Sequence, residues 1–151
     1  MSASPIRTHV RDSIVARFQA LKDSGHARQS DFEVLLRWIN PDQSTQRSTV
    51  CVIATDEQRE SLSLRDDRYN LTVTCVLVAN DSTDPRARLD RMIEDAIETV
   101  LLAASTLRND GAIIKASLDA IESDEGALAA GPWAQAVMRW TIQHTRAALV
   151  I

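Results

Sequence analysis

From Pro85 onward the chain repeats apolar residues with the period of an α-helix for five turns. Leu89, Met92, Ile93, Ala96, Ile97, Val100, Leu101 and Ala104 fall on one face. Asp84 stands where an N-cap is needed, and Pro85 occupies the first helical position, where its missing N–H costs nothing. Asp90, Glu94, Asp95 and Glu98 are placed on the outward face. A helix of about 20 residues is about 30 Å long. Its apolar stripe is too broad to leave in water, so the rest of the chain must supply a layer of comparable length beneath it.

The remaining segments read as that layer and one more helix. Ile6, Val10, Ile14, Phe18 and Leu21 recur at steps of four and three, which predicts a helix over Pro5–Lys22, with Ser4 as cap and Gly25 beyond its end. Phe32–Ile39 alternates and reads as a strand, broken by Asn40-Pro41. Thr49–Ala54 is β-branched and apolar, which suits a central strand. The charged stretch Thr55–Asp67 holds either a short edge strand or a mobile loop. Arg68–Ala79 is the clearest strand, with Tyr69, Leu71, Val73, Cys75, Leu77 and Ala79 on one face. After the second helix, Ala112–Glu122 alternates loosely and Ser123–Pro132 reads as a flexible connection rich in small residues. Trp133–Arg146 is a last strand with Ala134, Ala136, Met138, Trp140 and Ile142 on its apolar face. Trp140 therefore belongs to the core, and Trp133, following Gly131-Pro132, is expected to be exposed. The order helix, strands, helix, strands predicts an α+β fold: a mostly antiparallel sheet with two helices on one face and a long C-terminal hairpin over residues 112–147.

The whole chain, residues 1–151, fits one domain. Hydrophobic residues make up 44% and charged residues 25%, which is ordinary for a globular protein. Aromatics are only 4%, so aliphatic side chains must form most of the core. No run approaches the ~18 apolar residues of a membrane span, and no secretory leader is legible. The net charge of −4 argues against a dedicated nucleic-acid binder. Charge is uneven: residues 1–30 carry five basic and two acidic groups, and residues 31–80 carry five and eight. All bases but Lys22 and Lys115 are arginine.

No catalytic constellation emerges. His9, His26 and His144 lack metal-ligand spacing with one another or with Cys51 and Cys75. Cys75, on the apolar face of a strand, reads as a small buried hydrophobe. The acidic pairs Asp56-Glu57, Asp66-Asp67 and Asp124-Glu125 read as solvated loop charge. No phosphate-binding glycine motif occurs, and Arg86, Arg88 and Arg91 interleave with acids that can pair with them along the helix. The sequence thus predicts no enzyme, no metal and no cofactor. One geometric point stands out. A compact domain of this length is roughly 40 Å across, whereas a strand of 14 residues spans roughly 45 Å. The last hairpin should then reach the domain edge or overhang it, unless a bulge or bend splits the strand; an overhang would leave unpaired backbone for a neighbouring copy to satisfy.

Four segments together resemble the tail terminator, or tail-to-head joining, proteins of long-tailed bacteriophages (the lambda-type minor tail protein family). They are the N-terminal helix IRTHVRDSIVARFQAL, the strand RYNLTVTCVLVAN, the helix RLDRMIEDAIETVL and the closing strand AQAVMRWTIQHT. The resemblance implies a structural virion protein whose copies form a ring, usually of six, at the head-proximal end of the tail tube. Such a ring stops tube polymerisation and presents a surface to the head connector. Its implied partners are further copies of itself, the tail tube protein and the connector or stopper protein, with DNA passing through the channel unbound. A net negative chain suits such a lumen, because like charge repels phosphate. Contacts between copies are expected from the sheet edge, the Thr55–Asp67 stretch and the 123–133 connection, with Asp56, Glu57, Arg59, Arg65, Asp66, Asp67, Arg68, Trp133 and Arg139 as interface candidates. The alternatives are another neck, stopper or tail-completion component, and a small-molecule-binding α+β domain.

Overall fold

The computed structural model describes residues 6–24, 32–35, 48–61, 67–80, 83–109, 113, 115–128 and 131–145. They form two helices, α1 (Ile6–Ser24) and α2 (Pro85–Asn109), and five strands, β1 (Phe32–Leu35), β2 (Ser48–Ser61), β3 (Asp67–Asn80), β4 (Lys115–Leu128) and β5 (Gly131–Thr145). The strands make one sheet in the order β1-β2-β3-β5-β4. Only the β1–β2 pair is parallel. The fold is α+β, as the periodicities predict.

Two long antiparallel hairpins, β2–β3 and β4–β5, lie side by side, joined through the β3–β5 ladder. β3 finishes at one end of the strands, where Asn80 pairs with Trp133, and β4 begins near the other end, where Lys115 pairs with Gln143. The connection must travel back along the sheet. The 25 residues of α2 cover roughly 37 Å at ~1.5 Å per residue, about the length that return needs. Its start is capped as its sequence requires: Asp84 Oδ1 accepts the N–H of Ala87 at 3.0 Å.

Both helices bury their stripes on one face of the sheet. Val10, Ile14 and Phe18 of α1, and Leu89, Met92, Ala96 and Val100 of α2, meet Val50, Val52, Leu71, Cys75, Leu77, Met138 and Trp140 in one core. Fully burying each large side chain of this kind contributes about 1.5–3 kcal/mol. Phe18 meets Phe32 edge-on at 6.3 Å, which ties α1 to β1. Arg17 Nη2 donates to Thr106 Oγ1 at 2.7 Å and links the two helices. Cys51, Val76 and Val78 form a second, smaller buried cluster in the opposite register of the sheet, with Val137 packed on it.

Several sequence expectations are corrected. Within Phe32–Ile39 the strand covers Phe32–Leu35, and positions 36–39 lie outside the described residues. The strand over Thr49–Ala54 continues to Ser61, through half of the charged stretch: after a bulge between Ala54 and Glu57, its residues pair with Asp67–Leu71. Ser123–Leu128 is not a flexible connection but the second half of β4, paired with β5 to Gly131. Backbone pairing, to which small and charged residues contribute as well as any, overrides composition there. The hairpin does not overhang either. β5 pairs with β3 from Trp133 to Thr145, because β2 and β3 are 14 residues long themselves. Asp95 is buried, not outward, and Leu101 is 48% exposed, not inward. The stripe of α2 is rotated toward α1, so its two flanks exchange roles.

Candidate functional site at the sheet edge

β4 is an edge strand: among the described residues it pairs with β5 alone. Its 14 residues carry one base, Lys115, and four acids, Asp119, Glu122, Asp124 and Glu125, all exposed. A register shift between Leu118 and Ala120 divides it. Before the shift, Ala116 and Leu118 pack against the core beneath the helices. After it, Ile121 stands opposite Met138 and takes the helix-facing register, while Ala120, Glu122, Asp124 and Gly126 take the other. Charge and a bulge are the means by which an open edge resists indiscriminate pairing.

The acids are fixed in different ways. The Thr141 hydroxyl donates to the Asp119 carboxylate across the bulge. Arg139 Nη1 donates to Glu122 Oε1 at 2.8 Å, an exposed ion pair whose contribution to stability is at most about 1 kcal/mol. Asp124 Oδ1 accepts the Glu125 N–H at 2.8 Å. Near the tip, the Trp133 indole lies on Gly126, close enough that a Cβ there would sit 2.7 Å from Trp133 Cζ2. Trp133 is therefore half-buried, contrary to the exposure expected from its Gly-Pro approach.

The predicted interface residues are not gathered in one place. Asp56, Glu57 and Arg59 lie in the distal half of β2, and Asp67 and Arg68 open β3 beside them. Arg65 and Asp66 lie outside the described residues. Trp133 sits at the other end of the sheet, since Arg68 pairs with Thr145 and Asn80 with Trp133, roughly 40 Å apart at ~3.3 Å per residue. Arg139 lies between them, on the β4–β5 ladder. Asp119, Glu122 and Ile121 went unrecognised as edge residues. Their signal was legible only as two alternating runs joined by a one-residue shift at Asp119.

The remaining chemistry-bearing groups are dispersed. Cys75 pairs in register with Met138 and Tyr69 with His144, so His144 and Cys75 are six residues apart along their strands, roughly 20 Å. Burial, and to a lesser degree the Cys51 thiol, pushes the Cys75 thiol up to about 12. A thiol held neutral in this way is a packing group, not a nucleophile. His144 is buried and stacks on Tyr69, with ring centroids 5.5 Å apart. Among the described residues, no group of three or more His, Cys, Asp or Glu is placed to hold a metal ion. No helix among them is long and apolar enough to cross a membrane.

Where α1 meets β2, a shallow open groove of about 320 Å³ is lined by Arg7, Thr8, Arg11 and Ala54. The bulge after Ala54 turns a carbonyl out of the ladder, and Arg7 Nη2 donates to it at 3.3 Å. Arg11 is drawn to its neighbour Asp12 at 3.1 Å. The cations of this groove thus serve the fold locally. Comparison with known proteins returns neither a matching protein-family model nor a matching curated relative.

Proposed function

We propose that the chain is a structural assembly protein of the tail terminator kind: its copies close into a ring that ends polymerisation of a phage tail tube and joins it to the head connector. One observation carries the reading. Among the described residues, a 14-residue strand lies open at one edge of the sheet and carries four exposed acids. Such an edge offers main-chain hydrogen bonds for affinity and side chains of one sign for selectivity. The segment-by-segment resemblance to the terminator family supplies the identity of the assembly, and the net charge of −4 suits a channel that DNA passes without adhering. In this role the protein belongs to the virion, at the neck of the tail, and to the host cytoplasm during assembly.

The test is the mass of the purified protein by light scattering over a range of concentrations, with negative-stain imaging of the same samples. Rings of uniform diameter are expected, and added protein should halt the growth of purified tail tubes. A strict monomer, alone and with tail tube protein, sinks the proposal.

A further inference from the structure

We draw no further inference here: the strongest candidate, the apolar flank that Ile93, Ile97 and Leu101 of α2 form at the β4 side of the helix layer, with Ile121 of β4 exposed on the same face of the sheet, carries nothing because nothing in the structure shows what covers it.

Discussion

The contact between Trp133 and Gly126 can be tested by one methyl group. Gly126 pairs with Trp133 across the β4–β5 ladder, and the indole covers the space a side chain would need. In Gly126→Ala the new Cβ would lie 2.7 Å from Cζ2, 2.9 Å from Cε2 and 3.2 Å from Nε1 of Trp133. Forcing such a group into packed surroundings costs about 1–3 kcal/mol. Against this, replacing glycine within a strand recovers about 0.5–1 kcal/mol of chain entropy. The net expectation is a loss of up to about 2.5 kcal/mol, read as a lower urea midpoint at unchanged slope. The decisive step is to repeat the substitution in a Trp133→Ala background. With the indole gone the clash disappears, and Gly126→Ala should then stabilise by about 0.5–1 kcal/mol. If Gly126→Ala is neutral or stabilising with Trp133 present, or carries the same sign in both backgrounds, the indole does not rest on Gly126 and the reasoning fails.

Three further outcomes follow from the same structure. Asp84→Ala removes the acceptor of the Ala87 N–H and should cost about 1 kcal/mol, while Asp84→Ser restores most of it; thermal melts of the three proteins check this. Trp140 is fully buried, yet among the described residues its indole N–H has no hydrogen-bond partner, so Trp140→Phe removes an unsatisfied donor along with volume. It should cost less than about 2 kcal/mol, against about 3–5 for Trp140→Ala, by urea titration of both. Cys51 and Cys75 are buried, so a thiol reagent at pH 8 should label neither in the native protein and both in urea. Because the folded Cys75 thiol is raised to about 12, its contribution to stability is full below the ordinary thiol value of 9.0 and is lost as pH climbs from there toward 12. A midpoint that is flat with pH across that window, when compared with Cys75→Ala, would contradict the burial of the thiol.

Much of this architecture is legible in the residues themselves, and the reason is periodicity. The stripe Val10-Ile14-Phe18 and the stripe from Leu89 to Ala104 have a period only a helix satisfies, and the alternation in Arg68–Ala79 and Trp133–Arg146 has a period only a strand satisfies. With Asp84-Pro85 marking a helix start, these determine two helices, two central strands and the α+β class without reference to any contact. Tertiary structure alone decided the rest. Ser123–Leu128 and the charged half of β2 have weak strand preferences of their own, and they are strand because β5 and β3 offer them hydrogen-bonding partners. The bulge between Leu118 and Ala120 exchanges the two faces of β4, which no fixed period can encode. The rotation of α2 that buries Asp95 and exposes Leu101 depends on where α1 lies. The open acidic edge is likewise a property of strand order, β4 lying outermost beside β5, and order in a sheet is set by which long-range pairings pack best together.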